Sequence, residues 1–311
     1  MERGDLMMVK SIRIRDSFAD RIFNVVLTII CICTLLIAFY PLYFVLVASV
    51  SDPQYVNSGK LLLYPVGFTT EGYHQVLADE RVWIGYGNSI IYAIGGILYG
   101  LVTTIPLGYA LSRKELPFRG FITGLFVFTM YFQGGMVPLY LTVKDLGLTN
   151  SRLVIIILGS FAMYNVIVVR SYFSSSLPEE LREAALIDGC GDLRYFAQIA
   201  VPLAKPIIAV VTLFILVSKW NEFTNAMIYL NKRQLYPLQL YLRELLLTFS
   251  SMAGSATGAM ASDAEALERY HKLSQIIRYG FIVVASLPLL IAYPFVQKYF
   301  EQGVMIGSLK G

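Results

Sequence analysis

The chain has 311 residues, 56% hydrophobic and 15% charged, with a mean hydropathy of +0.62. Soluble domains carry nearer a quarter charged residues, so the composition points to a membrane protein. The net charge of +4 is small and no basic patch interleaves with aromatics, which gives no support to nucleic-acid binding as a function class.

The segment 1–21 is amphipathic and basic, fitting either a topogenic flank or a helix lying on the inner leaflet or against a partner. Uncharged runs then follow in chain order. Roughly 20 apolar residues cross a bilayer core. By that measure spans are predicted at 22–51, 82–112, 120–143, 153–175, 206–230 and 278–298, the fourth extending past Arg170 and the fifth containing Lys219 and Glu222. The first run is too long for a cleavable signal and has no small-x-small site after it. Residues 52–81, with Pro53, Pro65 and Gly67, read as an extracellular loop with a short helix near 71–81, and 231–277 as a long second one. That second loop is rich in Gly, Ala, Ser and Met and turns helical in character only from about Ser262.

Positive charge near the spans sets orientation. Arg3, Lys10, Arg13, Arg15 and Arg21, then Arg113, Lys114 and Arg119, then Arg182, Arg194 and Lys205, and finally Lys298 and Lys310 share one side if both termini are cytoplasmic. Lys144 and Arg152 oppose that reading. The predicted fold is therefore an all-α membrane protein of six spans, with a cytoplasmic tail at 299–311 and a cytoplasmic two-helix loop at 176–203.

That loop reads SLPEELREAALIDGCGDLRYFAQIAVP from Ser176 to Pro202. Ser176 and Glu179 have capping-box spacing, with Pro178 in the first turn. Leu181, Ala184, Ala185 and Leu186 form a narrow apolar strip. Gly189 and Gly191 can take the positive φ that ends a helix, and a second helix is expected near 192–200, with Leu193, Phe196, Ala197 and Ile199 on one face. Two short helices bent about glycines make a knob, and its small-residue face suits a groove on another protein.

The spacing Glu183-Ala184-Ala185, Gly189, Ile199, Val201-Pro202 resembles the EAA loop of ATP-binding-cassette importer permeases, with Val201 where that family usually has Leu. GYALSRKELPFRG (108–120), Trp220-Asn221 and QKYFEQGVMIGSLKG (297–311) are similar to the carbohydrate-uptake branch, in particular the second subunit of maltose permeases. PVGFTTEGYHQVL (65–77) and VPLAKPIIAV (201–210) look closer still to Gram-positive permeases for complex oligosaccharides. The resemblance implies an oligosaccharide-importer permease in a bacterial plasma membrane. Its implied partners are a second homologous permease, two cytoplasmic ATPase subunits and an extracellular solute-binding protein. It assigns ATPase coupling to Glu183, Ala184, Ala185, Gly189, Ile199 and Pro202. It also places a binding-protein contact in the 243–275 loop, with Met252, Gly254, Gly258 and Met260 as candidates.

Independently, no G-x-x-x-x-G-K-[ST] is present, so ATP and Mg are expected on the partner ATPase and no cofactor or metal in this chain. The two histidines, His74 and His271, form no catalytic or metal pattern, and Cys31, Cys33 and Cys190 form neither a disulfide framework nor a zinc spacing. The chain is therefore not expected to be an enzyme. Ionisable groups at membrane depth must be paired or face water. Lys219 and Glu222, three apart, can pair on one helix face, whether to line the translocation path or to pack the span. Trp220, Asn221, Gln133 and Asn88 are further path candidates. Gly134-Gly135 and Pro138 interrupt the third run near its outer end. A permease for a non-sugar solute, a stand-alone secondary transporter and a membrane-embedded enzyme are the rival readings. The transporter would need paired broken repeats, and the enzyme an intramembrane catalytic cluster.

Overall fold

The computed structural model describes residues 17–58, 63–259, 277–294 and 297, and all regular structure among them is helical. Helix α1 (Phe18–Ser49) precedes two short helices, α2 (Pro53–Asn57) and α3 (Glu71–Ala78), and the long α4 (Glu80–Ser112). The Asp79 carboxylate accepts from the Arg81 amide at 2.9 Å and fixes the start of α4. At 1.5 Å per residue, the 33 residues of α4 extend about 50 Å, well beyond a hydrocarbon core of about 30 Å. The helix is therefore long enough to span such a core with several turns to spare.

Helix α4 is the hub. It packs against α7 (Arg152–Ile157), α8 (Met163–Ser176), α12 (Lys205–Trp220) and α14 (Leu238–Ala259). Small residues at four-residue spacing make this possible: Gly96, Gly100, Thr104 and Gly108 are all buried on one stripe. A Cβ on Gly100 would lie 2.5 Å from the Ser160 carbonyl oxygen and from Ile215 Cδ1, and one on Gly108 2.5 Å from Val169 Cγ1. Helices in lipid gain nothing from excluding water from one another, so close backbone approach along such a stripe supplies the attraction. By contrast, α1 stands apart along most of its length, and of its residues only Val47, Ala48 and Ser49 are buried.

Three of the expected spans are not continuous. The third run is α5 (Arg119–Tyr131) and α6 (Met136–Asp145), bent by 108°. Gly135, at φ 88°, occupies a conformation that a side chain would oppose. Pro138 lies inside the first turn of α6, where its missing amide costs nothing. The fourth run breaks between α7 and α8, and the fifth between α12 and α13 (Thr224–Tyr229). Helix α15 (Ile277–Pro294) is unbroken. Singly, α1, α4 and α15 are long and apolar enough to cross a membrane. The bent pairs α5–α6 and Asp192–Leu203 with α12 add two more if each is one span. The 231–277 stretch also differs from the sequence expectation, since its Gly- and Ser-rich part is the C-terminal half of α14. Apolar Leu238, Leu240, Tyr241 and Leu242 anchor that helix in buried clusters, and the helix propagates from there.

Candidate functional site

The chain between α8 and α12 folds as two short helical pieces. Helix α9 (Glu179–Ile187) ends at Asp188, Gly189 turns the chain at φ 74°, and α10 (Asp192–Tyr195) continues through a π-turn at Phe196–Ala200 into α11 (Val201–Leu203). The expected capping box does not form. Ser176 is the last residue of α8 and Pro178 occupies the N-cap of α9, so Glu179 turns outward and binds Lys114 Nζ at 2.6 Å. Gly191 has φ −69°, so Gly189 alone makes the left-handed turn.

Burial divides this knob into an underside and an outer face. Ala185, Tyr195, Ala200 and Ala204 are buried in a cluster with Ile105, Tyr109, Val169 and Phe173. The Tyr109 ring meets Phe173 edge-on at 5.3 Å and Phe196 at 4.8 Å. Glu183, Ala184 and Gly189 are exposed, as are Leu186, Ile187 at 87% and Leu193 at 83%. The sequence strip of Leu181, Ala184, Ala185 and Leu186 is thus split, with only Ala185 turned inward, and Leu193 points away from the face expected for it. Ile199 is half-buried and Pro202 exposed in the helical path back to α12. An exposed acidic and apolar face on a firmly packed base is a docking surface in form.

Two ion pairs fasten the knob to the α4–α5 connection and a third closes it on itself. Besides Lys114 and Glu179, the Arg182 guanidinium donates to Glu115 and, at 3.0 Å, to Asp192. The Arg182 side chain is only 15% exposed. A backbone amide and the Arg182 guanidinium together hold the Glu115 carboxyl below its usual pKa, against a smaller opposing effect of burial. Arg113 lies over the Tyr109 ring at 5.1 Å. No sequence period reveals the pairs to Lys114 and Glu115, because their partners are more than sixty positions away.

Within the fifth expected span the structure replaces the expected Lys219–Glu222 ion pair with two separate helix caps. Lys219 is 1% exposed, and its Nζ donates to the carbonyls of Ile155, at 2.6 Å, and Leu158. Those carbonyls belong to the broken end of α7, where the last turn has no continuing helix to bond it. The amide of Leu158 serves Val154, and Ser160 serves Ile156 through its hydroxyl and Ile157 through its amide. With Lys219 on Ile155, the last turn of α7 is fully satisfied. A cation there also faces the negative end of the helix. Glu222 does the converse at α13, accepting from the Asn225 amide at 2.9 Å and the Asn225 side chain at 2.7 Å. Both groups flank Gly159, so the two breaks meet.

The remaining path candidates fall into two classes. Trp220 is 3% exposed and its indole donates to the Ala285 carbonyl at 2.9 Å, so it packs α12 on α15. Asn88, two turns into α4 and 3% exposed, donates to the carbonyls of Gln234 and Tyr236 and accepts from Arg152. Ser89 accepts from the Leu238 amide at 3.0 Å. These groups satisfy the backbone ahead of α14 rather than facing an opening. Asn221 and Gln133 are exposed at their breaks, and Glu222 is half-buried. Met252, Gly254 and Gly258 fall in the C-terminal half of α14, and Met260 lies outside the described residues.

The sequence matches the family described as binding-protein-dependent transport system inner membrane component over residues 6–306. It is 34% identical to the polygalacturonan/rhamnogalacturonan transport system permease protein YtcP of Bacillus subtilis, over 94% of this chain and 99% of that protein. It is 33% identical to Protein LplC of the same organism, over 88% and 90%. A chain in the crystal structure of a bacterial ABC transporter involved in the import of the acidic polysaccharide alginate superposes with a TM-score of 0.79 at 33% identity, covering 92% of this chain and 99% of that one. With its helical architecture, its broken spans and its protruding two-helix knob, this chain belongs to the family of binding-protein-dependent transport system inner membrane components, a membrane permease rather than a catalytic enzyme.

Proposed function

We propose that the chain is one of two permease subunits in an ATP-driven importer of oligosaccharides in a bacterial plasma membrane. It has six spans and both termini in the cytoplasm. A second homologous permease, two cytoplasmic ATPase subunits and an extracellular solute-binding protein complete the assembly, and ATP and Mg are bound by the ATPases. The observation that carries this reading is the knob: Glu183, Ala184, Leu186, Ile187 and Leu193 stand exposed on a base packed into α4, α8 and α12. A groove in the ATPase takes this face, Glu183 pairs with a basic group there, and Ala184 and Gly189 let it come close. Ile199 and Pro202 carry the motion into α12.

Arg113, Lys114 and Arg119 lie at the knob's end of the molecule, which supports its cytoplasmic placement by the positive-inside rule. At the breaks, Asn221, Glu222 and Gln133 offer polar groups to a hydroxyl-rich solute passing between the permeases. The relatives named for polygalacturonan, rhamnogalacturonan and alginate transport support a saccharide polymer fragment as the cargo. The C-terminal half of α14 is assigned to the binding-protein contact.

Two measurements test this. Affinity purification through a tag on this chain should recover a second permease and an ATPase. Calorimetry of the accompanying binding protein against galacturonan, rhamnogalacturonan and neutral oligosaccharides should show tight binding to one of them, and binding only to amino acids or peptides would overturn the saccharide assignment.

A further inference from the structure

Docking the knob on a motor moves the spans only if the knob is tied to them. Its covalent ties are to α8 through Leu177 and Pro178 and to α12 through Ala204. Neither is a tie to α4, the helix against which α7, α8, α12 and α14 all pack. The connection to α4 runs through space, by way of the stretch Arg113-Lys114-Glu115 that closes its C-terminal end. Two features distinguish that connection from ordinary surface pairing. Arg182 is 15% exposed and reaches two carboxylates on different elements at once: Glu115 beyond α4, and Asp192 at the start of α10. It thereby locks α9 to α10 across the Gly189 turn and locks both to the end of the hub. Beneath it, Tyr195 is 1% exposed and Tyr109 9%, and their rings belong to the apolar cluster that fills the space between knob and α4.

We infer that Arg182 is a positioning residue for coupling: by bridging Glu115 and Asp192 it makes the knob and the cytoplasmic end of α4 one rigid body, so that a pull on the knob reaches the hub. The inference rests on the coupling function proposed above and adds a residue that does not face the motor. Glu183 touches the ATPase, whereas Arg182, one position earlier, turns onto Glu115 and Asp192 and carries the motion inward. Removing it leaves docking in place and slackens the transmission.

The test uses the full assembly in proteoliposomes with its binding protein, reading ATP hydrolysis and uptake of a tritium-labelled galacturonan oligomer in the same vesicles. Arg182→Gln should retain co-purifying ATPase at the wild-type ratio and continue to hydrolyse ATP. Its uptake per ATP should fall about fivefold or more, the scale of a lost intersite coupling. Arg182→Lys, which keeps the charge but cannot fork to two carboxylates, should fall between. The triple reversal Glu115→Arg, Arg182→Glu, Asp192→Arg restores opposite charges at both arms and should recover uptake per ATP. Hydrolysis and uptake falling in parallel with loss of co-purified ATPase would mean Arg182 only holds the fold, and would overturn the inference. The two readings fail differently. If the knob couples without the clasp, Glu183→Lys uncouples while Arg182→Gln matches wild type. If the knob does not couple at all, neither substitution changes uptake per ATP.

Discussion

The caps at the broken spans give a prediction that separates two accounts of the same charges. Replacing Lys219 with Met keeps most of the stem volume but removes both hydrogen bonds to the Ile155 and Leu158 carbonyls. Hydrogen bonds from a charged donor contribute about 1.5–3 kcal/mol each, so the two together set a loss of about 3 kcal/mol at the low end. Glu222→Gln leaves an oxygen to accept from the Asn225 amide and should cost about 1 kcal/mol or less. Had Lys219 been held by an ion pair with Glu222, as the spacing allows, neutralising Glu222 would strand a buried ammonium and cost about 3–5 kcal/mol. Unfolding of the purified protein in mixed micelles, followed by helicity, gives the comparison directly. Equal destabilisation by the two substitutions would refute the carbonyl-cap account.

Further outcomes follow from the packing. Gly100→Ala should destabilise the protein by about 1–3 kcal/mol, because the added methyl meets the Ser160 backbone oxygen, which cannot rotate away, whereas Gly134→Ala, open on all sides, should leave the thermal midpoint unchanged. Asn88→Leu frees the carbonyls of Gln234 and Tyr236 and should speed amide exchange at Leu238 and its neighbours without lowering protection at the knob. Burial raises the Asp79 carboxyl pKa, but hydrogen bonds from Arg81 and Tyr241 with the Arg81 charge outweigh it, so the folded value lies below the ordinary one. The stabilising effect of Asp79 is therefore full above the ordinary carboxylate pKa and lost as pH falls through the depressed folded value. Accordingly, the difference in thermal midpoint between wild type and Asp79→Asn should be constant at neutral pH and vanish only in acid.

Much of the fold was legible in the chain because membrane insertion is decided by local composition. Apolar runs of sufficient length mark α1, α4 and α15 without knowledge of any neighbour. The knob was legible for a similar reason: the helix-ending Gly189 and the EAA spacing are local. The small-residue stripe at Gly96, Gly100, Thr104 and Gly108 was also open to reading by its four-residue period. It passes unnoticed when runs are measured by hydropathy alone.

What the sequence could not decide is where polar groups find partners, since that depends on which broken helix end arrives beside which side chain. Lys219 is three residues from Glu222 along the chain, yet its ammonium is claimed by carbonyls 61 and 64 residues away. Arg182 likewise pairs across 67 residues with Glu115, and Trp220 across 65 with the Ala285 carbonyl. Composition and period settled that the chain is a membrane protein, that it carries a two-helix knob, and where many of its helices lie. Only the tertiary structure decided how the breaks are sealed and what the knob is tied to. Hydrophobicity is a property of segments, whereas satisfying a buried charge or an orphaned carbonyl is a property of the assembled neighbourhood.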